Sequence, residues 1–489
     1  MLERGRRRPG DVIIRFERPI KLRRILGIPS LYSAAYGNVG SSIYYALGVV
    51  AMSALGLTPP VLFFSGIIFL FTGLVYAEGA TMLPEAGGTG AFARRAFNDM
   101  ASFIASWVLM LDYLVTIAIS AFSAANYLAH FFPQIGMWPL NSFTGIGIVG
   151  LLVGINILGI KESARLNILL VIFGIITQLS IAVIGVLFII NIPRLIENVH
   201  WGVAPTMQQL LFGISIAMVG YTGIETVANL GGEARQPAKY IPRTVYLIFI
   251  TVIILYTLLS MTALSAYPVY EFHNHWVTEL TEKFLNDPIM GIAAATPDFI
   301  RPYLSFWVAV LAVVILVIAT NAGIIGASRL AYFMGIRRQL PSFIGSVSTH
   351  ARVPFNALII FSGLASLLIL IGQVTILADL YAFGAMLAYT IAHVSIIALR
   401  IKEPQMIRPF KVPFNIKIKN RKIPLPALIG GLVTATTWVI VIWTHPFGRV
   451  VGFLWMLLGI VLYLVYRKFT HQSIFKAVDL PTHYKMYRT

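Results

Sequence analysis

Two short polar stretches interrupt apolar segments that would otherwise run unbroken through a bilayer: Gly37-Asn38-Val39-Gly40-Ser41-Ser42 near the start, and Gly220-Tyr221-Thr222-Gly223-Ile224-Glu225 in mid-chain. A backbone that leaves its helical ladder at membrane depth has no water to bond to, so it must be buried in protein or line a cavity. Two such breaks in two segments therefore predict one shared binding site near the middle of the membrane. The plainer alternative is a pair of kinked helices whose glycines only permit close packing.

Membrane residence follows from composition. With 58% hydrophobic and 11% charged residues, and a mean hydropathy of +0.81, a soluble fold is excluded. Apolar runs long enough to cross a hydrocarbon core of about 30 Å recur twelve times, at 30–56, 60–83, 101–130, 143–160, 165–192, 207–230, 244–268, 302–333, 355–373, 376–400, 424–444 and 447–466. The net charge of +18 reads as topology and not as affinity for nucleic acid. If twelve spans alternate from a cytoplasmic N-terminus, only Arg194, Lys283, Arg301 and Arg449 of the 37 Lys and Arg fall outside. The first 29 residues are arginine-rich without a separate apolar core, as expected of a cytoplasmic tail and not of a signal peptide. Both termini are thus expected in the cytoplasm of a multi-pass protein of the cell membrane. The absence of cysteine removes disulfides, thiolate catalysis and zinc–thiolate sites.

The breaks fall in spans one and six. An offset of five reverses membrane orientation, so spans one to five and six to ten are predicted to be inverted repeats. The chain then divides into a tail (1–29), a first repeat (30–192), a second repeat (193–400), a cytoplasmic loop (401–423), two further spans (424–466) and a C-terminal tail (467–489).

The residues around the second break continue as Asn229-Leu230-Gly231-Gly232-Glu233-Ala234-Arg235-Gln236-Pro237 and Ile241-Pro242-Arg243. Supporting stretches are Tyr76-Ala77-Glu78 with Pro84-Glu85-Ala86-Gly87-Gly88, then Gly159-Ile160-Lys161-Glu162-Ser163-Ala164-Arg165, and Ala327-Ser328-Arg329. Together they resemble the amino acid–polyamine–organocation (APC) superfamily across about residues 25–470. The resemblance implies an all-α membrane protein with the LeuT-like fold: twelve transmembrane helices, five-plus-five inverted repeats with two C-terminal additions, and discontinuous helices one and six. The implied function is a secondary active transporter that moves amino acids by alternating access, through ion-coupled symport or exchange.

Local geometry assigns the breaks opposite tasks. Helix one restarts with amides of Ser41, Ser42 and Ile43 free at the positive end of a half-helix dipole, where an anion fits. Carbonyls near Val219, Gly220 and Tyr221 are free for a cation, and an α-amino acid carries both charges. The resemblance implies this same division, with Asn38, Val39, Gly40, Thr222, Gly223, Tyr113 and Thr116 completing the substrate site. The alternative for Ser41 and Ser42 is that their hydroxyls bond only to their own helix. Asp112 and Glu225 lie in spans, where an isolated charge costs about 2.5–3.5 kcal/mol, and are read as coupling groups. Glu225 is expected to matter more, because Tyr113 or Thr116 can satisfy Asp112. Thr320, Asn321 and Ser328 are the candidates for holding sodium, the other coupling ion being the proton. Glu78, Arg329 and Tyr381 are assigned to gating, Glu78 with Glu85 and residues 87–97 by the resemblance.

Three departures qualify the resemblance. Gly174 stands where proton-coupled relatives carry a lysine, and Met218-Val219 replace a large aromatic before the second break. The run Leu111-Asp112-Tyr113-Leu114-Val115-Thr116, with Ser41, Ser42, Tyr45 and Tyr381, also resembles the potassium-importer branch, which has an aspartate in place of Asn38. A potassium–proton symporter is therefore the alternative. No GxSxG, HExxH or aspartate dyad supports an enzyme. His273-Asn274-His275 is at best a weak metal ligand pair, and no metal or other cofactor is assigned. The expected partners are a small solute and the lipid bilayer, with the oligomeric state left open.

Overall fold

The computed structural model describes residues 26–85, 87–158, 164–346, 354–418 and 421–476. The arginine-rich stretch before 26, Ala86, the 159–163 part of the second supporting motif and the tail beyond 476 lie outside the described residues.

Helix α1 (Ile28–Val39) starts with proline in its first turn and stops at Gly40; α2 (Ile43–Ala54) resumes after a turn at 40–42. A 3-10 turn leads to α3 (Thr58–Met82), and the short α4 (Thr89–Ala96) lies within the 87–97 stretch that the resemblance assigns to gating. Asn98 caps α5 (Asp99–Leu128) by accepting the Ala101 amide at 2.8 Å. Next come α6 (Leu140–Ile157), α7 (Ala164–Phe188) and the short α8 (Ile192–Glu197). A Thr206–Gln209 capping box opens α9 (Met207–Val219). After the second interruption only five residues, α10 (Glu225–Asn229), are helical before α11 (Pro237–Ala266).

Beyond 267 the two long connections between helices are themselves structured. The first holds an antiparallel hairpin, β1 (Val269–Phe272) with β2 (His275–Thr278), followed by α12 (Glu279–Phe284) and α13 (Pro288–Ala294). His273 and Asn274 form its turn, both with positive φ (46° and 61°). Among the described residues no group of three His, Cys, Asp or Glu is placed to hold a metal. Then follow α14 (Arg301–Ile336), α15 (Phe355–Ile369) and α16 (Val374–Lys402). A second hairpin, β3 (Asn415–Ile418) with β4 (Arg421–Pro424), precedes α17 (Leu425–Thr444) and α18 (Pro446–Phe469).

Among the described residues nine helical stretches are long and apolar enough to cross a membrane, one of them running over 28–82; α9 and α15 are shorter apolar helices. Burial separates centre from rim. The most apolar stretch of α5 is 94% buried and that of α18 only 22%, so α5 is the axis and α18 turns its leucines outward. Around α5 pack α4, α6, α14, α15 and α16, while α1 lies against α7, α11 and α14, and α2 against α9.

The 269–300 connection covers the end of α2. Gly48 backs onto the Leu285 carbonyl, and the Tyr127 hydroxyl donates to the Tyr44 carbonyl (2.8 Å) and accepts from the Ile289 amide (3.3 Å). Asp287, at the start of α13, is pushed up to about 6 by burial. An unfolded aspartate titrates near about 3.9, so the folded protein holds this proton more tightly. Stability from this group is fully present below about 4 and is lost as pH rises through about 6. Asp287→Asn is accordingly expected to raise the melting temperature above neutral pH and to leave it unchanged in acid. Parallel melting curves of variant and parent from acid to neutral pH would contradict this.

Candidate functional site

The first interruption is closed from outside its own helix. Gly40 donates to the Tyr36 carbonyl (2.6 Å) and Ser42 to the Val39 carbonyl (3.0 Å). Side chains complete the closure: Gln178 Nε2 of α7 donates to the Gly40 carbonyl (2.9 Å), and the Tyr256 hydroxyl of α11 adds a second bond to the Val39 carbonyl. Gln178 is held by the Tyr36 hydroxyl, which donates to its Oε1 at 2.8 Å. Both serine hydroxyls turn back on span one: Ser41 Oγ donates to the Asn38 carbonyl (2.8 Å), while Ser42 Oγ reaches the same carbonyl (3.4 Å) and Tyr45 (2.9 Å). Three free amides were expected here. Ser42 is engaged and Ile43 faces the Tyr256 hydroxyl, so of these three amides Ser41 alone finds no acceptor among the described residues.

At the second interruption the amides of Gly220, Tyr221 and Thr222 bond to the Ile216, Met218 and Val219 carbonyls at 3.1–3.3 Å. The Thr222 hydroxyl adds a bond to Val219 (2.8 Å), and the Tyr221 hydroxyl anchors to the Leu62 carbonyl of α3 (2.7 Å). Among the described residues the carbonyls of Gly220 and Tyr221 accept nothing. Gly223, at φ +115°, reverses the chain, and its amide donates to Glu225 Oε2 at 3.0 Å. Tyr389 of α16 donates to the same oxygen at 3.3 Å.

The two interruptions touch. A Cβ on Gly223 would lie 2.9 Å from Asn38 Cγ, and Asn38 Nδ2 donates to Thr226 Oγ1 at 3.3 Å. Gly223→Ala therefore meets both a backbone region that costs a side chain about 1–3 kcal/mol and a collision with Asn38. It is expected to cut uptake per folded molecule several-fold, whereas Gly147→Ala, with open space around it, should match the parent. Equal uptake in the two variants would detach Gly223 from the site.

Two buried acids stand beside this contact within electrostatic reach of each other. Neither oxygen of Asp112 makes a hydrogen bond, nor does Glu225 Oε1, and no Lys or Arg pairs with either residue among the described residues. Tyrosines 45, 76, 113, 381 and 389 surround them. The expectation that Tyr113 or Thr116 satisfies Asp112 fails. Tyr113 receives the Asn229 amide instead, and the Thr116 hydroxyl bonds the backbone carbonyl of Asp112 (2.9 Å) and Tyr381 (2.7 Å).

The other sequence candidates lie apart. Thr320 and Ser328 bond back to their own helix, at 2.9 and 2.8 Å, and Asn321 accepts from Asn156 of α6 at 2.6 Å. Where Gly37 meets α14 it finds the Ile318 side chain. Towards the far ends of the helices, Arg329 pairs with Glu233 (3.0 Å) and Arg337 with Glu85 (2.6 Å). The chain entering α1 joins them, with Leu26 donating to the Glu233 carbonyl and accepting from Arg235, both at 3.0 Å. Glu78 is fully buried between Arg400 and Arg408. Gln178, Tyr256, Tyr389 and Asn229 were not foreseen; for Gln178 the available signal was one amide in an otherwise apolar run.

The sequence profile of the amino acid permease family matches residues 26–466. The branched-chain amino acid permease BcaP of Bacillus subtilis (strain 168) is 23% identical over 469 residues, covering 91% of this chain and 94% of that protein. The low-affinity putrescine importer PlaP of Escherichia coli (strain K12) is 23% identical over 439 residues, covering 86% and 88%. The crystal structure of a mutant Eremococcus coleocola manganese transporter aligns with a TM-score of 0.53 at 12% identity, over 90% of this chain and 93% of that one. At that identity the likeness is one of fold, and it agrees with the all-α, LeuT-like class read from the sequence.

Proposed function

We propose, on the premise that the chain belongs to the amino acid permease family, that it carries neutral or cationic α-amino acids by alternating access at the paired breaks. The chain is a multi-pass membrane transporter and not an enzyme. One observation supports the solute class above the rest: three buried carboxylate oxygens and two backbone carbonyls lie near the breaks with no Lys or Arg to meet them among the described residues. Buried carboxylates without a partner are costly, so a site of this kind favours a positively charged group. A substrate ammonium supplies one, and the Ser41 amide is placed for the carboxylate. The solutes named for BcaP and PlaP share an ammonium group, whereas only the former has a carboxylate. A potassium ion would make no use of the Ser41 amide, and the relatives do not favour it.

Coupling is assigned to a proton on Glu225, a buried carboxyl at the second break with one oxygen held by the Gly223 amide and the other without a hydrogen bond. The helices are counted as twelve crossings in two inverted repeats plus two, with both termini in the cytoplasm of the cell membrane. Tags at Met1 and Thr489 reached from outside intact cells would refute that orientation.

The functional test is a thermal-shift panel followed by uptake into vesicles. A ligand at about 100 times its Kd stabilises by about 2.7 kcal/mol. Amino acids are expected to raise the melting temperature, while the α-keto acids of the same side chains, which lack the ammonium, leave it unmoved. Accumulation of rubidium with no shift from any amino acid would overturn the reading.

A further inference from the structure

The loop between α16 and α17 has two faces. Its inner face is clipped to α3: the Val412 amide donates to Glu78 Oε2 at 2.8 Å, and the Arg408 guanidinium donates to the Leu399 carbonyl at 2.9 Å while lying against Glu78. Its outer face carries Ile407 and Phe414, 84% and 76% exposed, with Lys411, Lys417 and Lys422 between and beside them. Across 401–424 seven basic residues stand against one acid, Glu403, which is itself paired with Arg95 at 2.7 Å. Lys411, Lys417 and Lys422 enter no ion pair among the described residues.

Phe414 is the informative residue. It sits at φ +55°, a region that a bulky side chain rarely adopts. Its carbonyl accepts the amide of Leu425, the first residue of α17, at 2.8 Å. The exposed Phe414 therefore stands beside the first turn of a helix whose Leu425, Ile429 and Leu432 are also exposed. An aromatic ring and an isoleucine held at that height, ringed by unpaired lysines, match the boundary between acyl chains and negatively charged headgroups.

We propose that the loop following α16 is an interfacial anchor: Phe414 and Ile407 enter the headgroup–acyl boundary of the adjacent leaflet, and Lys411, Lys417 and Lys422 bind anionic phospholipid headgroups. Because the inner face of the loop holds Glu78 of α3, the anchor ties that helix and the end of α16 to the same lipid surface.

The chain has no cysteine, so single labels are unambiguous. Phe414→Cys, Ile407→Cys and, as an aqueous reference in the β1–β2 hairpin, Glu271→Cys each carry a nitroxide in full-length protein. Each is reconstituted in phosphatidylcholine vesicles with and without phosphatidylglycerol, and collisions with oxygen and with a water-soluble nickel chelate are compared. The oxygen-to-nickel ratio is expected to be several-fold higher at 414 and 407 than at 271, and to rise further with phosphatidylglycerol. Lys411→Gln, Lys417→Gln and Lys422→Gln together should remove that rise. Ratios like that of 271 would overturn the proposal. So would labels screened from both reagents, which would mean cover by protein, or a high ratio indifferent to phosphatidylglycerol.

Discussion

Glu225→Gln is expected to lower gradient-driven accumulation at least about tenfold, equivalent to about 1.4 kcal/mol, while exchange of solute across the membrane stays measurable. The substitution keeps the shape of the side chain and an oxygen for the Gly223 amide and the Tyr389 hydroxyl, so the break remains closed. What it removes is the charge and the proton. Asp112→Asn has a different expected outcome. With no hydrogen bond to either carboxylate oxygen, Asp112 holds nothing in place and is available to a substrate ammonium. Its loss should abolish the thermal shift given by amino acids as well as their uptake. The comparison therefore separates coupling from binding. If Glu225→Gln accumulates solute like the parent across the physiological pH range, or if Asp112→Asn retains the full thermal shift, the two acids have been given the wrong roles.

The positions of the breaks were legible in the sequence because the cause is local: glycine, serine and threonine occur together where leucine and valine otherwise prevail. How the breaks are closed was not. The Gly40 and Val39 carbonyls are satisfied by Gln178 and Tyr256, which lie far along the chain, and nothing local announces those partners. The same limit explains Asp112. Tyr113 and Thr116 are its neighbours in sequence, yet Asn229 and Tyr381 claim their polar atoms. Asn321 was placed on the correct helix but faces Asn156 of α6, since a one-residue step turns a side chain by about 100° around a helix of 3.6 residues per turn. The β3–β4 hairpin did have a local signal, the alternation Asn415-Ile416-Lys417-Ile418-Lys419, which composition alone reads as a polar loop.

Glu78→Ala is expected to lower stability by about 3–5 kcal/mol, the cost of leaving a buried charge without its counterion. The sequence reading placed this residue among the gates. Its surroundings, however, are those of a clip: Arg400 meets both carboxylate oxygens at 2.6 Å, Arg408 approaches to 3.4 Å, and the Val412 amide donates at 2.8 Å, with Glu78 and Arg400 both buried. A gate must release its ion pair in every transport cycle. Releasing this one would leave the buried Arg400 guanidinium and the Val412 amide without their acceptor, a heavy cost for a step repeated in every cycle. The Arg329–Glu233 and Arg337–Glu85 pairs are more exposed to solvent and cheaper to break. The clip assignment thus predicts a much lower yield of folded Glu78→Ala and a lower melting temperature. It also predicts that Glu78→Leu combined with Arg400→Leu recovers much of the loss, since an apolar pair can replace a buried ion pair at little net cost. A Glu78→Ala protein that melts like the parent but transports at a changed rate would return Glu78 to the gate.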